Sequence, residues 1–542
     1  MAKTRTIPGT VTLSRAILGQ AILGCALSTA VPAAARTVAV EEVSIDRLQA
    51  MMAAGGTSSA AITRAYLARI AAMDRKGPNL RSVIALNPDA LRQAAALDAE
   101  RRAGRVRGPL HGIPVLIKDN VETADPVATT AGSLALAANV TRRDAPVVAY
   151  LRRAGAVILG KTNLSEWANI RSTRSMSGWS AMGGLVRNPY ALDRTACGSS
   201  SGSGAAVAAS FAAAAVGTET DGSVVCPSAI NGLVGFKPTI GLVSRTHVVP
   251  ISHSQDTPGP MARSVRDAAA MLSAMVGPDP ADPTTAGAVA RDYAAGLSTS
   301  ALSGLRIGVI RPQGMPAALA ARYDAALAVL RSGGAVLVEV TPPDLPGLGE
   351  AELLVLKTEL KADLDAYLAT TPAAVTTRTL DQVIAFNRAH PAEEMPFFAQ
   401  ELFEQAAKTR GLDDPAYRAA RRTSLRLAGA EGIDAMLKAA GARMLVEPSY
   451  GAAWLSDPVH GDQYGGPSAS ELPAVAGYPH LTVPMGLVQG LPVGLSFIAT
   501  GGADAAVLGA GYAYEQRAQA RTTPRYLAGA AVAAGLEGRT GQ

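Results

Sequence analysis

Cysteine is scarce. The 542-residue chain holds three, too few for a disulfide scaffold. The six histidines (111, 247, 253, 390, 460 and 480) are scattered, and neither HExxH nor CxxC occurs, which argues against a zinc site. No block of five or more Lys or Arg appears, and a net charge of +6 is small for this length, so nothing points to a nucleic-acid partner. The sequence also lacks a fixed-period repeat, a long Gly/Ser linker and, beyond its first 35 residues, any uncharged apolar run long enough to span a membrane. What is present is 48% hydrophobic and 17% charged residues, a composition that excludes general disorder and is sufficient for a large buried core.

The first 35 residues have the three-part layout of a secretory signal peptide. Lys3, Arg5 and Arg15 precede an apolar stretch over 16–31, and Ala33 and Ala35 then stand at the spacing of an Ala-x-Ala cleavage site. Alternatives are an uncleaved anchor and a lipoprotein box around Cys25. The apolar stretch is short for a membrane span, and the chain stays apolar after Cys25, where a lipoprotein turns polar. No twin arginine precedes the stretch, so the general secretory route is expected, with cleavage after Ala35 and a periplasmic or secreted product. Residues 1–35 contain three cations and no Asp or Glu, so their loss takes the charge from +6 to +3. Half of the apparent basicity is an export label, and no stable membrane association is expected once it is removed.

In the mature chain, apolar runs alternate with helical patterns. Ser44 caps a short helix, Thr57 or Ser58 starts a second, and a third runs from Pro88 to Gly104. Strands are expected at 112–119, 156–159, 215–218, 305–310, 335–340 and 491–498. Helices are expected at 145–153, 205–214 and 503–519, and residues 350–440 read as a mostly helical insertion. Strands alternating with helices indicate an α/β fold, a single large domain with helices on both faces of its sheet.

The densest signal is Cys197-Gly-Ser-Ser-Ser-Gly-Ser-Gly-Ala-Ala206, followed by Gly217-Thr-Glu-Thr-Asp-Gly-Ser-Val-Val-Cys-Pro227. A flexible linker is one reading of the first, but apolar patterns continue on both sides of it. A phosphate-cradling turn is another, but GxxxxGK[ST] and GxGxxG are both missing. A third reading is a site where Gly permits close backbone approach and Ser hydroxyls relay protons. A serine nucleophile needs a base, and no histidine lies in either stretch. A lysine can serve if burial keeps it neutral, and Lys118, after the apolar run Val115-Leu-Ile117, is the candidate.

Together with His111-Gly-Ile-Pro-Val-Leu-Ile-Lys118-Asp-Asn120, Gly160-Lys-Thr-Asn-Leu-Ser-Glu-Trp167, Asn231-Gly-Leu-Val-Gly-Phe-Lys-Pro-Thr239, Asp256-Thr-Pro-Gly-Pro-Met261, Ala476-Gly-Tyr-Pro-His-Leu-Thr-Val-Pro484 and Gly490-Leu-Pro-Val-Gly-Leu495, these stretches make the chain resemble the amidase signature family. The blocks run from about residue 40 to 520, within an expected amidase domain of 36–530. The resemblance implies a mixed-sheet core and a Ser–cisSer–Lys triad with no cofactor or metal. Ser223 would be the nucleophile, Ser199 the bridging serine on a cis peptide bond, and Lys118 the base. Ser223 follows Ser199 by 24 positions, the family's register. Ser200 matches a supporting hydrogen-bonding position, and Thr220, Asp221 and Gly222, with Ser223, match the oxyanion-hole loop.

The sequence also departs from the family pattern. Where many members carry Arg two positions after the nucleophile, this chain has Val225. Asp221 stands where Gly is frequent, and Cys197 replaces a common Gly. These forms, and Ser165-Glu-Trp-Ala-Asn169, look like the bacterial peptide amidases, implying hydrolysis of a C-terminal peptide amide to a carboxylate and ammonia. An amidase for small or aryl amides and an inert exported binding protein on the same fold are the competing readings. The expected partner is thus a peptide or small-molecule amide, and oligomeric state is left open. Cys197 and Cys226 read first as small buried residues beside the site, with a disulfide open to a protein outside the cytoplasm. Trp167 and Tyr190 fit either a pocket wall or the core, Tyr464 fits a cavity entrance, and Asp119 has no assigned role.

Overall fold

The computed structural model describes residues 10–13 and 38–530. Apart from 10–13, the expected leader, with its cleavage site and Cys25, lies outside the described residues. Strands follow in the order β1 (Val83–Leu86), β2 (Pro114–Lys118), β3 (Val157–Thr162), β4 (Trp179–Ser180), β5 (Gly184–Leu185), β6 (Ala214–Glu219), β7 (Val234–Lys237), β8 (Thr257–Ala262), β9 (Arg306–Ile310), β10 (Val336–Val340), β11 (Met444–Pro448), β12 (His480–Val488) and β13 (Leu491–Ile498). Eleven join one sheet, ordered β1-β3-β2-β6-β8-β7-β12-β13-β11-β9-β10, while β4 and β5 pair separately. β2 is parallel to β3 and β6, and β9 is parallel to β10 and β11. The middle of the sheet, from β6 through β8, β7, β12 and β13 to β11, is antiparallel. The sheet is therefore mixed. β2, β3 and β6 are buried along their whole length, which is why they read as continuous apolar or small-residue runs and not as alternating ones.

Two expectations are corrected. The helix expected over 205–214 is Ser201–Ala208, and β6 begins at Ala214. A run of alanines carries no period to mark a boundary. Here the chain turns at Ser210 (φ 56°), whose N–H donates to the Val207 carbonyl (3.1 Å), and Arg263 Nη1 donates to the carbonyls of Val207 (3.1 Å) and Ala212 (2.9 Å). β8 was not expected as a strand, because Pro258 and Pro260 stand inside it. β7 pairs with β8 only at Met261 and Ala262, so on that side the prolines break no ladder.

The region 350–440 is helical as expected. Its principal helices are Leu348–Ala369, Leu380–Ala389 and Pro415–Ala428. Leu360, Leu364, Val383 and Phe403 form an apolar cluster with Leu136, Trp167 and Ile251 of the sheet-bearing core. A buried ion group fastens the same junction. Arg171 Nη1 lies 2.8 Å from Glu166 Oε1 and donates to the Glu394 carbonyl oxygen, with its guanidinium 4.3 Å from the centre of the Phe398 ring. The Glu394 carboxylate in turn accepts from Leu134 N (2.7 Å) and Ser133 Oγ (3.1 Å). Arg171 is fully buried, so removing it strands two buried carboxylates. Arg171→Ala is expected to cost about 3–5 kcal/mol, read as a lower midpoint in denaturant unfolding, the scale typical of breaking a buried pair.

Candidate active site

β2 ends at Lys118 and carries its side chain into the interior, where the residue is fully buried. Lys118 Nζ lies 2.7 Å from Ser199 Oγ, 2.9 Å from Thr218 Oγ1 and 3.2 Å from the Thr218 carbonyl oxygen. Desolvation pulls the amine down to about 7, against the opposing pull of the Asp256 and Glu219 carboxylates. Asn120 Nδ2 donates to Thr218 Oγ1 at 2.9 Å, so two donors hold that hydroxyl oxygen in place beside the amine.

The peptide bond from Gly198 to Ser199 is cis. A Cβ at Gly198 would fall 2.1 Å from Ser165 Oγ, so only glycine fits there. The Ser199 carbonyl accepts from Ser165 N (3.0 Å). Ser200 donates through its N–H to the Ser223 carbonyl (3.2 Å) and through its hydroxyl to the Thr218 carbonyl (3.1 Å). Ser199 and Ser200 immediately precede the buried helix Ser201–Ala208, which gives them a rigid base.

The second stretch runs from the end of β6 into the helix Val225–Ile230. Glu219 Oε2 accepts from Val224 N (2.7 Å) and Val225 N (2.9 Å), closing the loop between them. Thr220 Oγ1 donates to Asp256 Oδ1 at 2.5 Å, and burial pushes that carboxyl up to about 6. Gly222 sits at φ +77°, and a Cβ there would lie 2.1 Å from the Tyr450 hydroxyl. Among the described residues, the N–H groups of Asp221, Gly222 and Ser223 are bonded to no protein acceptor, as donors awaiting an oxyanion must be. Ser223, Gly198, Thr220, Asp221, Tyr450 and Tyr464 help to line one cavity of about 180 Å³.

All seven site residues expected from sequence thus gather at the ends of β2 and β6 and the start of two short helices. Lys118 and Ser199 are in hydrogen-bond contact, and Ser223 meets Ser200 through the backbone. Thr218, Asn120, Glu219 and Asp256 were not singled out, although each stands inside a recognised block. Their side chains differ from ordinary strand-end polar residues only in what they touch. Tyr464 lies at the cavity and is exposed, as an entrance residue should be. Trp167 packs edge-on against Phe403, and Tyr190 is buried with its hydroxyl on the Thr522 carbonyl; both belong to the interior. Asp119 holds Lys161 at 3.3 Å in a buried pair.

The first reading of the cysteines is corrected, because Cys197 and Cys226 form a disulfide with Cα atoms 6.0 Å apart. The bond closes a loop spanning 29 positions that contains both Ser/Gly stretches. By chain entropy, such a loop is worth about 3–4 kcal/mol. Among the described residues, the group of His and carboxylates close enough to share a metal ion is His253, Glu359 and Asp363. It lies outside the cavity lining, and its carboxylates already bond to Tyr417, Ser252, Ser254 and His253.

Comparison with known proteins gives the family. The family model Amidase matches residues 61–508. The chain belongs to the amidase signature family. It is 35% identical over 525 residues to a probable amidase of Arabidopsis thaliana, covering 94% of this chain and 97% of that protein. The crystal structure of native peptide amidase from Stenotrophomonas maltophilia superposes with a TM-score of 0.85 at 52% identity, covering 90% of this chain and 99% of that one. A structure of the peptide amidase PAM in complex with the competitive inhibitor chymostatin gives a TM-score of 0.86 at 52% identity, with the same coverage. This amidase is therefore an amidohydrolase with the mixed-sheet fold of its relatives.

Gly222→Ala is expected to lower kcat at least a hundredfold, because the added methyl meets the Tyr450 hydroxyl and moves the N–H groups of the loop. Steady-state ammonia release, compared with wild type at matched folded concentration, checks it.

Proposed function

We propose that this amidase hydrolyses the C-terminal carboxamide of peptides to a free carboxylate and ammonia, through an acyl-enzyme on Ser223. The observation that carries the reading is the contact of a buried, depressed-pKa Lys118 with the hydroxyl of Ser199, beside the cavity that Ser223 lines. Neutral Lys118 takes the Ser199 proton as Ser199 takes that of Ser223. Ser223 Oγ then attacks the amide carbon. The loop N–H groups receive the oxyanion, and Ser199 returns a proton to the nitrogen as the C–N bond breaks. Water, activated by the same relay, releases the acid and restores the serine.

The 52% identity to peptide amidase supports the choice of a peptide amide. Ammonia release from an amidated dipeptide, absent in Ser223→Ala, is the expected outcome; equal release by that variant would overturn the mechanism. The relay needs unprotonated Lys118. Its kcat/KM should therefore be level above pH 8 and fall about tenfold per pH unit well below 7, the value set by burial.

We further propose that the protein is exported. The leader layout supports this, and the disulfide is of a kind that persists in oxidising compartments. N-terminal sequencing of the exported protein is expected to begin at Arg36. A full-length chain retained in the cytoplasm would count against it.

A further inference from the structure

The acidity of the cavity wall raises a question that hydrolysis alone does not answer. Among the described residues, the cavity is lined by one acidic side chain, Asp221, and by no Lys, Arg or His. Asp221 stands two positions before Ser223, in the loop between β6 and the helix Val225–Ile230. Its Oδ1 is buried and has no hydrogen-bond donor. Such an orphaned carboxylate oxygen is costly, and the residue that bears it also lines the cavity beside Ser223. The substrate and product of this reaction have nearly the same shape and differ in charge, the neutral carboxamide becoming a carboxylate.

We propose that Asp221 is a specificity-determining residue that discriminates amide from acid. Lining the same cavity as Ser223, its carboxylate would repel that anion while tolerating or hydrogen-bonding the amide NH2 group. The enzyme is thereby spared occupation by its own product, a use of repulsion for specificity. This rests on the proposed attack by Ser223 on a carboxamide. Asp221 is surrounded by Glu219 of β6, Glu352 of the helix Leu348–Ala369, Glu471 of the helix Glu471–Ala476, Lys237 of β7, the Ser470 hydroxyl and the phenols of Tyr450 and Tyr464. Burial, with the neighbouring Glu219 and Glu471, pushes its carboxyl up to about 7 against Ser470 and Lys237. The repulsion is therefore present above that pH and fades below it.

The test compares wild type, Asp221→Asn and Asp221→Gly, each verified as folded by its melting transition. The inhibition constant of the free acid is divided by the KM of the amide at pH 6, 7 and 8. The pair used is an amidated dipeptide and its acid. Should wild type release no ammonia from that amide, the peptide reading fails, and benzamide with benzoate then serves for the same ratio. At pH 8 both variants should bind the acid about tenfold more tightly relative to the amide than wild type does, and the gap should close at pH 6. Lys118 gains its proton over the same range in all three proteins, so the difference between proteins isolates Asp221. A ratio in either folded variant within twofold of wild type at pH 8, or a gap independent of pH, would overturn the proposal.

Discussion

A lysine amine, stripped of water and pressed against a serine hydroxyl, is the constraint around which this structure is arranged. Holding the ammonium form of Lys118 out of solvent disfavours it by on the order of 5 kcal/mol, given the fall from 10.5 to about 7. That displacement holds only while the surroundings stay dry and rigid. β2 therefore lies between β3 and β6, buried on both faces, and ends at the one residue whose side chain must be kept from water. A Lys at an edge strand, or on a sheet with one wet face, would keep its proton and could not serve the proposed relay.

Rigidity is supplied differently on the two serine segments. Ser199 is held through the backbone by Ser165 and by the helix that starts two residues on. Ser223 is held from within its loop by the Glu219 carboxylate and from outside by the disulfide, which links the residue before Gly198 to the third residue beyond Ser223. The helical layer contributes to the same end. Its apolar cluster includes Ile251, and Ile251 N and Ser252 N donate to Asp256, the carboxylate that receives Thr220. A chain of contacts thus runs from the insertion to the oxyanion loop.

Much of this was legible in the sequence because the chemistry is local in it. The ends of β2 and β6 and the two Ser/Gly stretches each occupy a few consecutive residues, and the 24-position interval between Ser199 and Ser223 is a one-dimensional quantity. The α/β class with both faces of the sheet covered followed from apolar runs whose lack of alternation reflects burial on both faces, whereas the mixed sheet was implied by the family resemblance. Long-range pairing was not legible. Nothing in Thr-Pro-Gly-Pro-Met-Ala marks a central strand, because its tolerance for two prolines depends on where β7 stops pairing. Nor does an isolated Cys announce its partner 29 positions away. Thr218 and Asn120 were equally hidden: each is an ordinary polar residue at a strand end until the fold sets both against one amine.

Burial acts on Lys118 and on the Asp256 and Asp221 carboxyls in opposite senses. It lowers the lysine to about 7 and raises Asp256 and Asp221 to about 6 and 7. A cation and carboxylates that would all be charged in water are thereby brought close to half-titration near neutrality. This limits how much acid the site can hold. Each further carboxylate beside Lys118 would stabilise the ammonium and remove the base, yet Asp256 and Glu219 are both near enough to oppose the shift. Desolvation still dominates. Asp256 accepts from Thr220, Ile251 and Ser252, and Glu219 Oε2 accepts from Val224 and Val225. The hydrogen bonds that shape the loop before Ser223 thus end on the same two carboxylates that act on the amine, so the loop's geometry and the protonation of Lys118 are linked through Asp256 and Glu219.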